Sequence, residues 1–86
     1  MYYTYVLKSL KDNKLHTGCS PDLKSRLNKQ EEGKVESTKN RKPLMLIYYE
    51  ACLNEKDAIK REKYLKTHYG KMFLKNRLSK WCQEER

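Results

Sequence analysis

The chain has little of what builds disordered, disulfide-linked or membrane-spanning proteins. Its 86 residues include three glycines and two prolines, too few for a low-complexity chain. The three cysteines are odd in number and form no Cys-x-x-Cys pair, which excludes a disulfide scaffold and a structural zinc site. No apolar run approaches the roughly 18–20 residues of a membrane span. The N-terminus lacks the blocks of a signal peptide, so we expect one cytoplasmic domain over residues 1–86, with no membrane partner.

Acidic residues are also scarce relative to basic ones. Lys and Arg number 20 against 11 Asp and Glu, which gives a formal net charge of +9. Cations that neutralise phosphates release counterions, so this balance favours a nucleic-acid partner. The alternative is a solvated coat of lysines that binds nothing in particular. Charge alone leaves both interpretations open.

Local patterns predict an α+β fold in the order β-β-α-β-α-α, with helices packed against a three-stranded sheet. Dense aromatic and β-branched residues predict a strand over 2–10, and the polar turn at 11–14 returns the chain into a short strand at 15–19. The third strand is predicted at 44–53. Its alternation gives one wholly apolar face, formed by Met45, Ile47, Tyr49, Ala51 and Leu53.

Capping signals predict three helices. Ser20-Pro21-Asp22 opens the first, with Ser20 as the cap and Pro21 at the first helical position, and Gly33 ends it. Asn54 caps the second helix, which His68-Tyr69-Gly70 is expected to break. A last helix is predicted from about Lys71. Its core stripe has i, i+4, i+7, i+8 spacing and consists of Leu74, Leu78, Trp81 and Cys82.

One carboxylate of the second helix lies in an apolar stripe. On a helical wheel Glu62 falls about 40° from Ala58, on the side that also holds Leu65. Burying an unpaired carboxylate costs several kcal/mol, so such a group needs a partner, a proton or a metal ion. Two interpretations stay open: a functional carboxylate, or an edge residue paired with Lys66 four positions on.

Basic residues mark two further places. Arg26 lies about 60° from the line through Leu23 on the first helix, where its guanidinium can follow the sheet and reach a phosphate. A surface arginine with a packed stem is the alternative. The polar segment 34–42 is predicted to be a loop that holds a nucleic-acid backbone. Its cations are Lys34, Lys39, Arg41 and Lys42.

Several of these residues occur in an order that resembles the GIY-YIG endonuclease domain. Tyr3-Thr4-Tyr5 and His16-Thr17-Gly18 resemble its paired signature. Residues 19–26 resemble the stretch that carries the family's catalytic arginine, and Lys60-Arg61-Glu62-Lys63 resembles the segment with its metal-binding glutamate. The resemblance covers nearly the whole chain and is closest to the small stand-alone members.

The resemblance implies a three-stranded antiparallel sheet with flanking helices, and hydrolysis of nucleic-acid phosphodiesters with one divalent ion, Mg²⁺ or Mn²⁺. It implies specific roles for residues of this chain. These are catalysis by Tyr5, His16 and Arg26, metal binding by Glu62, a signature glycine at Gly18, and at Asn76 a candidate for an asparagine that the family uses in this region.

Two positions depart from the family pattern. His16 stands where the second signature tyrosine is usual, and Gln30 occupies a position that is often histidine in these relatives. A histidine can still accept a proton at neutral pH, whereas the amide of Gln30 cannot act as a base.

Our first hypothesis is therefore a metal-dependent endonuclease that acts on branched, flapped or otherwise non-duplex DNA, in repair or recombination. The alternative is a catalytically weakened nucleic-acid-binding module that uses the same basic groove. A third is a basic protein that docks on another nucleic-acid-handling protein. Substrate selection would fall to the domain itself or to a protein partner. The first hypothesis requires Tyr5, His16, Arg26 and Glu62 to converge on one concave surface.

Overall fold

The computed structural model describes residues 1–36 and 38–84, which fold around a three-stranded antiparallel sheet. The strands, in the spatial order β2-β1-β3, are β1 (Tyr2–Ser9), β2 (Leu15–Ser20) and β3 (Leu44–Cys52). The helices are α1 (Leu23–Glu31), α2 (Glu55–Leu65), α3 (His68–Arg77) and α4 (Ser79–Glu84). The α+β class and the antiparallel sheet are confirmed, with one helix more than the predicted order. No helix in the described ranges combines the length and the apolar character needed to cross a membrane.

The predicted β1–β2 hairpin is present. Asn13 takes the left-handed conformation that a tight turn demands, with φ of 62°, and Asp12 Oδ1 accepts a hydrogen bond from the Lys14 amide at 2.9 Å. Buried Ser9 ties this turn to the segment before β3, because its hydroxyl donates to the Arg41 carbonyl at 2.6 Å. The hairpin therefore places β2 at the edge of the sheet, where its side chains remain accessible.

Strand β3 contains an irregularity opposite the middle of β1. Val6 pairs with Tyr48, but the next residue, Leu7, pairs with Leu46, so Ile47 is an extra residue in β3. A bulge of this kind shifts the alternation, and residues on its two sides exchange faces.

The predicted continuous apolar face of β3 is consequently wrong. Of its five members, Ile47 packs against a core cluster, whereas Tyr49, Ala51 and Leu53 are exposed. Tyr49 pairs with Tyr5 and so lies on the sheet face opposite to that of Tyr48.

Two core clusters cover the two faces of the sheet. On one face α1 packs against β1 and β3, through Tyr5, Leu7, Leu44, Leu46, Leu23 and Leu27. On the other face α2 and α3 pack, through Val6, Ile47, Tyr48, Leu65, Phe73 and Leu74. Thr4 adds a buried hydrogen bond from its hydroxyl to the Ala58 carbonyl at 2.9 Å, which fixes the position of α2. Alternate residues of β1 thus serve both layers, because successive side chains of a strand point to opposite faces.

Helix α1 begins at Leu23, two residues after the predicted first helical position, Pro21. Asp22, not Ser20, is its N-cap, since Asp22 Oδ1 accepts from the Ser25 amide at 3.0 Å. The Ser20 hydroxyl instead bonds the backbone of Asp22, and Pro21 lies outside the helix. The end near Gly33 is confirmed, and Gly33 has the positive φ of 73° typical of a residue after a helix.

The connection between α2 and α3 also differs from the prediction. Asn54 caps α2 as predicted, but residues 68–70 form the first turn of α3 and do not break a helix. Thr67 is the cap of α3, accepting from the Gly70 amide at 3.1 Å. A Cβ on Gly70 would lie 2.1 Å from the Tyr64 carbonyl oxygen, so this glycine allows α3 to fold tightly against the end of α2.

The single last helix predicted from Lys71 is two helices. Helix α3 ends at Arg77, Leu78 is its C-cap, and α4 begins at Ser79. The predicted stripe is therefore divided: Leu74 is buried in the core, while Trp81 lies half-buried on α4.

Candidate active site

A concavity of about 430 Å³ lies along β2 and receives side chains from both faces of the sheet. Tyr5, His16, Arg26 and Glu62, the four residues singled out from the sequence, all line it. Gly18 also belongs to its wall. We call this concavity the β2 pocket. Its other charged lining residues are Lys66 and Lys71, so cations outnumber the one carboxylate, which suits a phosphate.

Tyr5 presents only its hydroxyl end to the β2 pocket. The residue is 2% exposed because its ring belongs to the core under α1. The hydroxyl oxygen accepts hydrogen bonds from Arg26 Nε at 3.1 Å and from Gln30 Nε2 at 3.4 Å. Arg26 and Gln30 are one helical turn apart on α1, so both can reach the same atom. The phenol is thus held rigidly, with its own proton left to donate elsewhere.

Gly18 makes room for this tyrosine. It pairs with Tyr5 across β1 and β2, and a Cβ built on it would lie 2.3 Å from the Tyr5 hydroxyl oxygen and 2.5 Å from the ring carbon that bears it. Any other residue at position 18 would therefore collide with the phenol.

Gln30 and Thr38 complete the network. From the sequence, Gln30 was noted only as a departure from the family pattern, and Thr38 was missed. Both are 4% exposed, and the Thr38 hydroxyl donates to Gln30 Oε1. Because the amide oxygen faces Thr38, the amide nitrogen faces Tyr5. The segment 34–42 is thereby connected to Tyr5 through one glutamine. The sequence signals for Gln30 were its i, i+4 spacing from Arg26 and its place at a position that is often histidine in the family.

His16 has a hydrogen-bonding atom that the protein does not use. Its Nε2 is buried and has no partner among the described residues. An unpaired buried polar atom costs about 1–3 kcal/mol, and such atoms are uncommon outside sites that bind something. His16 is therefore not a strand histidine whose two ring nitrogens are both satisfied by the described residues.

Glu62 fulfils parts of both sequence interpretations. It lines the β2 pocket with 23% of its side chain exposed, and its Oε2 accepts from Lys66 Nζ at 2.8 Å. Burial and then the negative charge of Glu62 raise the pKa of the Cys19 thiol in the same wall. Cys19 is therefore a neutral neighbour at physiological pH and not a nucleophile.

The donor atoms fit a metal ion that a substrate would help to hold. No cluster of three His, Cys, Asp or Glu side chains occurs in the part of the chain that the structure describes. Among the described residues that line the β2 pocket, Glu62 is the one with a carboxylate, and the hydrogen bond from Lys66 goes to its Oε2. Mg²⁺ is commonly bound by one or two carboxylates together with substrate phosphates and water, so this donor set is adequate only with substrate present.

Asn76 lies away from this site. It is exposed on α3 and does not line the β2 pocket. Its assignment as a site residue stays a prediction from the resemblance.

The cations of segment 34–42 are largely paired with nearby acids. Lys42 alone of the four has no ion pair within residues 1–36 and 38–84. The ion pairs of the others are Lys34–Glu32 at 2.8 Å, Lys39–Glu36 at 3.1 Å and Arg41–Asp12 at 2.7 Å. The predicted backbone-binding role of this loop stays a prediction, and it would require these exposed pairs to open.

Comparisons with known proteins agree with this geometry. Residues 1–83 match the family model described as the GIY-YIG catalytic domain. A UPF0213 protein of Clostridium perfringens is 35% identical over 86 residues, which cover 99% of this chain and 91% of that protein. A UPF0213 protein of Staphylococcus haemolyticus is 35% identical over 75 residues, covering 86% and 90% respectively. No solved structure matches the chain. A GIY-YIG catalytic domain implies nuclease-type activity on DNA, and the chain belongs to the GIY-YIG family.

Proposed function

We propose that this protein is a divalent-metal-dependent endonuclease that hydrolyses DNA phosphodiesters at branched, flapped or other non-duplex sites, such as arise in repair and recombination. The observation that carries the proposal is the meeting of Tyr5, His16, Arg26 and Glu62 in one cation-rich concavity. The family match supports a nuclease of DNA, and the geometry supplies the roles that follow.

Arg26 would bind the scissile phosphate. Its Nε is committed to the Tyr5 hydroxyl, which orients the guanidinium. The two terminal nitrogens then remain to hold two phosphate oxygens, the bidentate arrangement that guanidinium groups favour. Positive charge fixed at this place would stabilise the charge that develops on the equatorial oxygens during in-line displacement.

Tyr5 would orient the attacking water through its hydroxyl proton, and His16 would accept the proton of that water at Nε2. The Tyr5 oxygen is held by two N–H donors, and His16 Nε2 has an unused hydrogen-bonding capacity. General-base assistance of this kind typically contributes roughly 10²–10⁴-fold. Glu62 would hold the Mg²⁺ or Mn²⁺ ion, whose chemistry is to neutralise charge on a phosphate oxygen and on the leaving oxygen.

Cleavage assays with a matched pair of carboxylate variants test the proposal. The purified protein would be incubated with flap, fork, single-stranded and blunt duplex DNA, each with Mg²⁺ or Mn²⁺. Glu62→Gln should lower the cleavage rate at least about 10²-fold, since it removes the metal-binding charge. Glu55→Gln, an exposed carboxylate at the start of the same helix, should leave the rate unchanged. If Glu62→Gln cleaves DNA as fast as Glu55→Gln, the cleavage comes from a contaminating nuclease.

The catalytically weakened binding module is the second candidate, and two observations favour it. His16 replaces a tyrosine of the family signature, and Lys66 neutralises part of the Glu62 charge. Binding without cleavage under either metal would support it. His16→Tyr separates the two candidates further, because a large gain in rate would show that histidine weakens the site.

A further inference from the structure

A second concavity adjoins the β2 pocket. It has a volume of about 260 Å³ and lies between β1, α3 and α4. Leu15, Lys71 and Leu74 line both concavities, so the two form a continuous path over α3. We call the second concavity the Trp81 groove. A strand bound in the β2 pocket could therefore continue into it without a break.

The Trp81 groove combines an aromatic ring with positive charge. Trp81 and apolar residues such as Ile47 and Leu78 form part of its lining, and its charged members are Lys8, Lys71 and Lys75. None of the described residues that line it is acidic. In the β2 pocket, by contrast, Glu62 accompanies the cations.

The indole of Trp81 is held in place at the rim of the core. It is half-buried on α4, and Lys8 Nζ lies 5.1 Å from its ring centroid, within the range of a cation–π contact. The contact orients the ring and occupies one of its two faces, so a base would stack on the opposite face or displace Lys8.

We propose that the Trp81 groove binds one unpaired nucleotide of the DNA strand next to the scissile phosphate, with the base stacked on Trp81 and flanking phosphates at Lys71 and Lys75. Proteins that hold single strands combine a cationic track with aromatic stacking in this way. The bases of an intact duplex are already stacked on each other, so the groove selects a flap or a single-stranded end. Its place beside the cleavage site rests on the proposed function; the binding itself does not.

Trp81 is the only tryptophan of the chain, so its fluorescence reports on the groove directly. The full chain carrying Glu62→Gln, without divalent metal, would be titrated with a dT12 oligonucleotide and with a blunt 12-base-pair duplex. We expect dT12 to quench the Trp81 emission at saturation and the duplex to leave it nearly unchanged. Unchanged emission with bound dT12 overturns the proposal. An emission that changes with protein concentration in the absence of DNA also overturns it, because a second copy of the chain would then occupy the groove.

Aromatic variants supply an independent measurement by anisotropy of labelled dT12. Trp81→Leu keeps an apolar side chain but removes the stacking surface, and should weaken binding about 5- to 150-fold, the range for one base–aromatic stack. Trp81→Phe should stay within about threefold, because every aromatic ring offers a face to a base. The control is Tyr69→Leu, since Tyr69 is 72% exposed on α3 and lines neither concavity. Equal affinity of Trp81→Leu and the parent protein overturns the proposal.

The salt dependence of binding tests the phosphate contacts. The logarithm of the DNA-binding constant falls linearly with the logarithm of the salt concentration. Lys71→Ala and Lys75→Ala should each make this slope less steep by about 0.7, the value for one phosphate of a single strand. Lys56→Ala, at the start of α2, should not. The two proposals fail separately. If DNA quenches the Trp81 emission but the protein never cleaves DNA, the proposed nuclease activity alone is refuted. If Trp81→Leu cleaves DNA at the rate of the parent protein, the proposed role of the Trp81 groove alone is refuted.

Discussion

Replacing Gly18 by alanine should disturb the position of Tyr5 in the β2 pocket more than it disturbs the backbone of β2. The backbone of Gly18 is not left-handed, so alanine fits β2 and would stabilise the folded state by about 0.4–1 kcal/mol through lower entropy of the unfolded chain. The new Cβ, however, would lie 2.3 Å from the Tyr5 hydroxyl oxygen, and that oxygen must retreat by about 0.7 Å to reach the 3.0 Å below which Cβ contacts are essentially never seen. Tyr5 is 2% exposed with its ring in the core under α1, so a shift of the phenol disturbs that packing.

The two effects have opposite signs, and the collision should dominate. Overpacking a core costs about 1–3 kcal/mol, so we expect a net loss of about 1–2 kcal/mol in the free energy of unfolding measured with urea. A displaced phenol also leaves the Arg26 and Gln30 donors. Misplacing a catalytic group by about 1 Å can cost 10²-fold, so the cleavage rate should fall by about that factor.

Gly33→Ala is the matched control for this experiment. Gly33 has a φ of 73°, a conformation that alanine adopts at a cost of about 1–2 kcal/mol. The new Cβ would lie 3.8 Å from Lys42 Nζ, its nearest contact, and Gly33 does not line the β2 pocket. It should lower stability without changing the rate of the folded enzyme. Adding Tyr5→Phe to Gly18→Ala removes the closest colliding atom and should restore part of the stability but none of the activity. A Gly18→Ala protein that unfolds at a higher urea concentration than wild type would refute the argument.

Three further changes test other contacts. Thr38→Val should lower the cleavage rate and shift its pH profile, because Gln30 loses the hydroxyl that orients its amide. Thr38→Ser keeps the hydroxyl and should leave the rate and the profile unchanged. An unshifted profile in the valine variant would show that Gln30 positions no catalytic group. Gly70→Ala should lower the thermal midpoint strongly, since its Cβ would meet backbone atoms at 2.1 Å and 2.5 Å, and a midpoint within a degree of wild type would contradict the tight packing of α2 and α3. Burial alone would raise the pKa of Glu50, but the hydrogen bonds from Arg61 and Tyr48, together with the Arg61 charge, outweigh burial and hold that pKa below its usual 4.5. Glu50 therefore stabilises the fold fully above pH 4.5 and loses this contribution as the pH falls through its lowered value. Glu50→Gln should lower the free energy of unfolding, measured by urea titration, by about 1.5 kcal/mol at pH 7 and by progressively less below pH 4.5. A loss of stability that does not change with pH would contradict the ion pair between Glu50 and Arg61.

Features that depend on neighbouring residues in the chain could be predicted from the sequence. The hairpin at 11–14, the end of α1 at Gly33 and the cap at Asn54 follow from the conformational preferences of a few adjacent residues. The family order of Tyr5, Arg26 and Glu62 was also readable, because the chemistry requires particular side chains in a particular succession.

Two features that depend on contacts between different elements were predicted incorrectly. Strict alternation in β3 assumes one residue opposite each residue of β1, and the bulge at Ile47 breaks that assumption only once the two strands pair. His68-Tyr69-Gly70 was interpreted as a break in the second helix, but these residues begin α3. Position 70 is a glycine because the Tyr64 carbonyl of the preceding helix leaves no space for a side chain.

The sequence alone therefore established a small basic α+β domain and the chemical types that its site would use. Only the tertiary structure decided how those groups meet. Gln30 is hydrogen-bonded to Thr38 and Tyr5, and Glu62 both borders the β2 pocket and pairs with Lys66. A buried nitrogen of His16 has no partner in the part of the chain that the structure describes. Most of these contacts join side chains on different elements of the fold. Their distances depend on how the elements pack, which the periodicity of residues along the chain does not determine.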